Sequence, residues 1–281
     1  MQTARFLALL ALLPLLLVPA APAQTPPSAA APAVPAGASE AWVAKTKIMP
    51  DGVTMTADWY SGAKARATDA KAKVVFVCCH MARSSRGEYR EIAPKLAAEG
   101  WDALAIDLRS GEKSGAVVNE TAKSATVALG GSQGFQAAFG DLDFAIAWAR
   151  ELAPGAKVVL VGSSYTASLA VRYASMVDGK ADLVLAFSPS ECLNDWTVVD
   201  SAKAVRVPVF VTCGSGARER QNAEPIANAV PGALRHSHWP TDAAKAKHGS
   251  ASLLVEDAAG RETLWKLVRE LVTSVAEPKK G

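Results

Sequence analysis

A serine at the end of an apolar run is the residue of this chain best suited to nucleophilic chemistry. Residues 158–161 are all apolar, which predicts a buried strand, and Gly162 ends the run. The residues after Ser164 have helical apolar spacing, so this serine stands where a strand turns sharply into a helix. The stretch Gly-Ser-Ser-Tyr-Thr follows the G-x-S-x-G pattern of a nucleophile elbow, with Thr166 in place of the second glycine. The same Gly-Ser-Ser sequence would also suit an ordinary helix N-cap.

A serine hydroxyl attacks a carbonyl carbon readily only if a histidine takes its proton and a carboxylate orients that histidine. One known order of these groups along a chain is serine, acid, histidine. His248, in a polar segment before the last helix, is the predicted base, and His238 is the alternative. Glu219 follows a predicted strand and is the predicted acid. Two other carboxylates remain open for that role: Glu224 and Asp195.

Attack on a carbonyl also requires backbone N–H groups that stabilise the developing oxyanion. We expect one of them to be the N–H of Tyr165, at the start of the helix that follows the serine. The other is expected in the loop after the strand at 74–79, at Met81.

The elements that would position these residues alternate between strands and helices. Apolar runs predict a β-hairpin at 42–48 and 53–59 and then strands at 74–79, 103–108, 158–161, 183–187, 207–211 and 233–239. Helical spacing predicts helices at 89–99 and 135–152, one after Ser164, and one near the C-terminus. A long Gly/Ser-rich loop is predicted at 110–134. This order indicates an α/β protein whose mostly parallel sheet has helices on both faces, with its site at the carboxyl ends of the strands.

Several motifs of the chain together resemble those of the α/β-hydrolase superfamily, from Val74 to the final helix. They are Cys79-His80-Met81, Ile106-Asp107-Leu108-Arg109-Ser110-Gly111, Gly162-Ser163-Ser164-Tyr165-Thr166 and His248-Gly249. The segments 84–89 and 119–122 are similar to those of small bacterial dienelactone-hydrolase-like members. The chain departs from the usual pattern in Thr166 and Met81, where glycine is common, and in a glutamate where aspartate is the commoner acid.

This resemblance implies a serine hydrolase that cleaves small or medium carboxylic esters through an acyl-enzyme, with no metal or organic cofactor. The segment between the predicted strands that end at Phe187 and Val211 is short, so no large lid domain is expected there. An amidase, a peptidase or a polyester hydrolase would use the same residues, and a binding protein could retain the fold without activity. Substrate contacts are expected from the loop at 110–134 and from Trp196.

The first forty residues are predicted to lie outside the α/β domain. Residues 6–18 form an apolar core after Arg5, and Ala21-Pro22-Ala23 provides a small-x-small cleavage site, so residues 1–23 are predicted to be a signal peptide. Residues 24–40 are rich in Ala and Pro and are interpreted as a tether, followed by the α/β-hydrolase domain at 41–281. We therefore expect an exported protein, periplasmic or secreted, without a stable membrane span after cleavage.

Composition and charge narrow the classes of partner. A formal net charge of +3 without a basic stripe argues against nucleic-acid binding. The resemblance to hydrolases implies a small-molecule ester or acyl substrate as the partner. His236 and His238 have no third ligand nearby, which argues against a metal site. Export permits disulfides, and a bridge between Cys192 and Cys213 is one option besides free buried thiols.

Overall fold

A single eight-stranded sheet organises the chain in the computed structural model, which describes residues 42–67, 73–176 and 180–277. Its strands are β1 (Val43–Ile48), β2 (Thr54–Tyr60), β3 (Val74–Cys79), β4 (Asp102–Ile106), β7 (Lys157–Ser163), β8 (Leu183–Phe187), β9 (Val209–Thr212) and β10 (Arg235–Ser237). A separate small hairpin contains β5 (Lys113–Ser114) and β6 (Val117–Val118). The predicted signal peptide (1–23) and tether (24–40) lie outside the described residues.

The order of the strands is β1-β2-β4-β3-β7-β8-β9-β10. The pairs β1–β2 and β2–β4 are antiparallel, whereas every pair from β4 to β10 is parallel. Strand β3 shows why its run is apolar throughout: Val75 and Val77 belong to the core on one face of the sheet, and Phe76 and Cys78 belong to the core on the other. The predicted α/β-hydrolase architecture is confirmed.

Helices cover both faces of this sheet. They are α1 (Ala63–Arg66), α2 (Ala93–Ala98), α3 (Glu120–Leu129), α4 (Phe139–Leu152), α5 (Tyr165–Met176), α6 (Val198–Lys203), α7 (Ala217–Ala229) and α8 (Ala258–Ala276). Ile146 of α4 and Leu169 of α5 pack in one core, and Leu96 of α2 and Val268 of α8 pack in the other. Within the described ranges, no helix combines the length and the apolar character that a membrane crossing needs.

The structure differs from the sequence-based expectation at 110–134, where a loop was predicted. The segment contains the β5–β6 hairpin and the ten-residue helix α3. Asn119 caps the start of α3 by accepting a hydrogen bond from the Ala122 N–H, and Gly130 ends it in the left-handed conformation. Only Thr121 and Ala125 of the helix are buried, so it carries little of the apolar periodicity on which the prediction depended.

Two further elements have other bounds than predicted, and one helix was not predicted. The predicted helix at 89–99 is a 3₁₀ turn at Arg86–Tyr89 followed by the shorter α2, and the last strand is limited to β10. Helix α7 was not predicted, because its sequence is strongly polar and contains Pro225. As a result Glu219, expected in a loop, lies in the first turn of a helix.

A buried ion network holds the 3₁₀ turn that follows β3. Arg86 donates from its backbone N–H to Oδ1 of Asp107 (2.8 Å) and from Nη1 to Oδ2 (2.5 Å). Its Nε lies 3.3 Å from Asp58, and Arg90 also pairs with Asp58 at 2.8 Å. The two carboxylates are almost completely buried, so these charge-assisted bonds fix the path of the loop between β3 and α2.

Candidate active site

The turn from β7 into α5 has the strained geometry of a nucleophile elbow at Ser164. This residue has a φ of +59°, and its N–H donates to the carbonyl oxygen of Phe187 on β8 (2.8 Å). A Cβ atom at Gly162 would lie 2.4 Å from the carbonyl oxygen of Thr166 and 2.5 Å from Cα of Ala167. Glycine is therefore required at the first position of the motif, because strand and helix approach too closely there for a side chain.

Thr166, which replaces the second glycine, has a bonding role of its own. Its buried hydroxyl accepts a hydrogen bond from the Ser163 N–H (2.7 Å) and lies 2.9 Å from the carbonyl oxygen of Cys79. The side chain thus joins the elbow to the end of β3, and no polar atom is left unsatisfied by the departure from the motif.

Glu219 and His248 meet at the carboxyl end of the sheet. Nδ1 of His248 lies 2.6 Å from Oε1 of Glu219, and the Gly214 N–H donates to Oε2 (3.2 Å). The hydrogen bond from His248 lowers the pKa of Glu219, and a bond from the Ser188 hydroxyl lowers it further. The same bond with Glu219 raises the pKa of His248 above its ordinary value. A proton on Nδ1 leaves Nε2 of the neutral ring free to accept another.

Two serine hydroxyls hold the segment that carries this histidine. The Gly249 N–H donates to Oγ of Ser188, and the Ser250 N–H donates to Oγ of Ser163, both at 2.9 Å. Gly249 has a φ of +68°, and a Cβ atom there would lie 2.3 Å from the Ser163 oxygen. The two residues that follow His248 are therefore packed against Ser163, the immediate neighbour of Ser164.

The two backbone N–H groups expected to stabilise an oxyanion differ in whether they already donate a hydrogen bond within the protein. Tyr165 is the first residue of α5, where backbone N–H groups have no partner within the helix. The Met81 N–H, however, donates to Oε2 of Glu88 (2.8 Å). The N–H of the next residue, Ala82, donates to no residue in the described part of the chain. The amide open at this loop is thus that of Ala82.

The alternative acids and base lie in other environments. Glu224 pairs with Arg220 on the exposed surface of α7, and Asp195 accepts from Gln136 (3.2 Å). His238 borders a cavity of about 310 Å³ between its own segment and α8. Neither the two acids nor His238 has a described contact with Glu219, His248 or Ser164.

All four cysteines are free, so the Cys192–Cys213 bridge is not formed. Among the described residues, no group of three or more His, Cys, Asp or Glu side chains is arranged to hold a metal ion.

Aromatic residues and the segment before α4 border the elbow on one side. Phe135 stacks on Tyr165 with ring centroids 4.3 Å apart, and the Tyr165 hydroxyl donates to the carbonyl oxygen of Ser110 (3.0 Å). A pocket of about 200 Å³ lies beside them, and the residues that line it include Arg83, Ser110, Thr126 and Phe135. Trp196, expected to contact substrate, packs edge-on against Phe139 (5.2 Å) and borders another cavity of about 460 Å³.

Two residues of the site were not singled out from the sequence. Glu88 contacts both Met81 and Ser250, and Ser188 contacts both Gly249 and Glu219. Ser188 follows β8 with a φ of +57°, a conformation that a Phe-Ser-Pro sequence does not signal. The only sequence signal for Glu88 was its place in segment 84–89, which is similar to that of dienelactone-hydrolase-like proteins.

Comparison with known proteins gives a family and a fold. The model of the dienelactone hydrolase family matches residues 59–230, more than half of the chain and a span that includes Ser164 and Glu219. No curated protein matches the chain.

The fold is shared with several solved hydrolases. A dienelactone hydrolase from Anabaena variabilis superimposes with a TM-score of 0.60 at 16% identity, over 82% of this chain and 95% of that one. A carboxyl esterase from Bacillus coagulans superimposes with a TM-score of 0.58 at 10% identity, over 85% of this chain and 100% of that one. An esterase from Pyrococcus furiosus gives 0.56 at 17% identity, over 82% and 90%. With the elbow at Ser164, the parallel sheet and the family match, this chain belongs to the dienelactone hydrolase family and has the α/β-hydrolase fold.

Proposed function

We propose that this hydrolase is a serine carboxylesterase in which Ser164 is the nucleophile, His248 the general base and Glu219 the acid that orients the histidine. The observation that carries the proposal is the 2.6 Å bond between His248 and Glu219 at the sheet edge where Ser164 occupies a strained elbow. Family membership supports hydrolysis, and the esterase names of the solved neighbours support a carboxylic ester as substrate.

In the first half of the reaction, Oγ of Ser164 attacks the ester carbonyl carbon while Nε2 of His248 takes the hydroxyl proton. Glu219 remains ionised and stabilises the imidazolium through Nδ1. The carbonyl oxygen becomes an oxyanion facing the N–H of Tyr165 and an amide of the loop after β3. We expected Met81 to supply that amide, but Ala82 is the better donor because the Met81 N–H is bonded to Glu88. Collapse of the intermediate breaks the C–O bond, and the alcohol leaves with the proton from His248.

In the second half, water attacks the acyl-enzyme. His248 takes one proton from the water, and the tetrahedral intermediate releases the carboxylic acid as the proton returns to Oγ of Ser164. We assign the acyl or alcohol group of the ester to the pocket of about 200 Å³, because two of its lining residues, Ser110 and Phe135, contact the Tyr165 side chain. Between β8 and β9 the only helix described is the six-residue α6, which leaves no room there for a large lid domain.

The test is hydrolysis of p-nitrophenyl acetate and butyrate by the wild type and by Ser164→Ala. We expect a loss of about 10³-fold or more in kcat/KM, together with loss of labelling by a fluorophosphonate. Ser61→Ala, at an exposed serine beyond β2, is the matched control and should retain both properties. Equal turnover in wild type and Ser164→Ala would contradict the proposal. Lack of turnover and labelling in the wild type would instead favour a binding protein.

We also propose that the protein is exported, periplasmic or secreted, with removal of residues 1–23. The support is the pattern of a charged start, a short apolar core and Ala21-Pro22-Ala23. N-terminal sequencing of protein recovered outside the cytoplasm of an expressing bacterium should begin at Gln24. Recovery with Met1 intact would contradict this.

A further inference from the structure

Glu88 lies between the two loops that the proposed reaction needs. Its Oε2 accepts from the Met81 N–H at 2.8 Å, and its Oε1 accepts from the Ser250 hydroxyl at 2.6 Å. Met81 belongs to the loop after β3, and Ser250 is two residues beyond His248. A single carboxylate therefore joins the oxyanion loop to the histidine segment.

The backbone around Glu88 is fixed, so its carboxylate is held in place. Glu88 lies in the 3₁₀ turn that begins at Arg86, whose guanidinium is bonded to buried Asp107. The hydroxyl of the next residue, Tyr89, donates to the carbonyl oxygen of Cys79 at the end of β3 (2.8 Å). The turn is thus bonded to both β3 and the segment after β4, and Glu88 is half-buried at its inner side.

The negative charge of Glu88 also acts on the histidine. Glu219 on α7 and Glu88 on the 3₁₀ turn both raise the pKa of His248, with Glu219 the larger influence. The histidine's own segment carries Lys245 and Lys247, which are exposed. During catalysis the imidazole becomes an imidazolium, and a second carboxylate nearby stabilises that cation.

We propose that Glu88 is a positioning residue for the reaction: it fastens the loop after β3 to the segment after His248 and provides a second negative charge for the imidazolium. This inference rests on the proposed function. It assigns Glu88 no contact with substrate, since both of its carboxylate oxygens are engaged by Met81 and Ser250.

Glu88→Gln separates charge from geometry. A glutamine can accept from the Met81 N–H through its oxygen and donate to Oγ of Ser250 through its nitrogen, so both links are retained without the charge. We expect the ionisation of His248, followed by NMR and assigned with His248→Ala, to move to lower pH. The acid limb of the kcat/KM profile should move in the same direction. Glu91→Gln, at an exposed glutamate of the next turn, is the matched control and should leave both unchanged.

Glu88→Ala removes charge and links together, and should lower kcat/KM at all pH values by about 10-fold or more because the loops are no longer held in register. The glutamine variant should recover most of this loss at high pH, where His248 is neutral in every variant. Unchanged ionisation of His248 in Glu88→Gln would refute the electrostatic part. Full activity of Glu88→Ala would refute the link between the loops.

The NMR titration does not depend on turnover, so it distinguishes the two proposals. If wild-type protein shows no Ser164-dependent hydrolysis, the proposed function fails even where His248 responds to Glu88. If hydrolysis depends on Ser164 but His248 ionises identically in wild type and Glu88→Gln, this inference alone fails.

Discussion

Three hydrogen-bond donors meet the carboxylate of Glu219, the residue that we propose as the catalytic acid. They are His248, Ser188 and the Gly214 N–H, and the residue also lies in the first turn of α7, where the helix dipole favours an anion. Because these groups lower the pKa of Glu219, the carboxylate stays ionised below its usual range. The histidine beside it has a raised pKa and stays protonated to higher pH than a free imidazole.

The sign of the pH dependence follows from these two directions. The attraction between Glu219 and protonated His248 contributes fully to stability at pH values above the ordinary pKa of glutamate, 4.5, and below that of histidine, 6.5. It is lost as pH falls through the lowered pKa of Glu219 and as pH rises through the raised pKa of His248. The proposed mechanism requires the neutral imidazole, so activity should rise as pH passes through the raised pKa of His248.

Glu219→Gln tests the pairing of Glu219 with His248. We expect kcat/KM to fall by about 10²- to 10⁴-fold, since the imidazolium loses its carboxylate partner. The acid limb of the remaining activity should move to lower pH, because the group that most raises the pKa of His248 is gone. Glu224→Gln, on the exposed face of the same helix, should change neither property. A pH profile with the wild-type midpoint in Glu219→Gln would contradict the pairing.

Thr166→Val tests the bonding role of the threonine at the elbow. The valine has nearly the same shape but leaves the buried Ser163 N–H without its acceptor. We expect the free energy of unfolding in urea to fall by about 1–3 kcal/mol. Thr273→Val, at an exposed position of α8, should change it by about 0.5 kcal/mol or less. Equal stability of the two variants would show that the Thr166 hydroxyl is dispensable.

At the scale of elements, the contact between the elbow and the histidine segment depends on a glycine. Gly249→Ala would place a methyl group 2.3 Å from the Ser163 oxygen and force alanine to a φ of +68°. We expect a loss of about 1–3 kcal/mol in stability and of about 100-fold in kcat/KM, because His248 must shift. Measurements are urea unfolding and steady-state kinetics.

Gly140 in the first turn of α4 provides the control for this substitution. A Cβ atom there meets no atom within 4 Å. Gly140→Ala should therefore leave activity unchanged and stabilise the protein by about 0.5 kcal/mol through its helix propensity. Gly249→Ala with wild-type kinetics would show that the histidine segment tolerates the crowding.

The strands and helices differ in how far the sequence could predict them. Strands such as β3 were predictable because both of their faces are buried and every residue of the run is apolar. Helix α3 and helix α7 were missed because most of their side chains face solvent, so no apolar period marks them. Ser164, Glu219 and His248 could be proposed from motif and order. The contact of Glu88 with Ser250 could not, because 162 positions separate these residues and neither belongs to a periodic pattern.

At the scale of the whole molecule, the chain combines a predicted export signal with free thiols. Cys78, Cys79 and Cys213 are buried, and Cys192 is half-buried. Burial raises the pKa of all three buried thiols, that of Cys213 to about 12, and a neutral buried thiol reacts slowly. Burial should therefore slow the oxidation of these three thiols.

We therefore expect the Tm of the protein to be the same with and without a reductant. In native protein an aromatic disulfide reagent should modify Cys192 at most, and all four thiols should react in urea. Cys192→Ser should abolish any rapid native reaction. A Tm that falls on reduction would indicate a disulfide and would contradict the four free cysteines of the structure.

The short edge strand β10 has a kinetic consequence. It spans three residues, pairs in parallel with β9, and leads into the segment that carries His248. The contacts that attach this segment join positions 87 and 162 residues apart, and closing loops of this length costs chain entropy before the contacts contribute, so we expect them to form after the local helices. During refolding, recovery of turnover should therefore lag behind recovery of the helical circular dichroism signal. During unfolding, fraying of this edge should abolish turnover at denaturant concentrations where the central strands still resist hydrogen exchange.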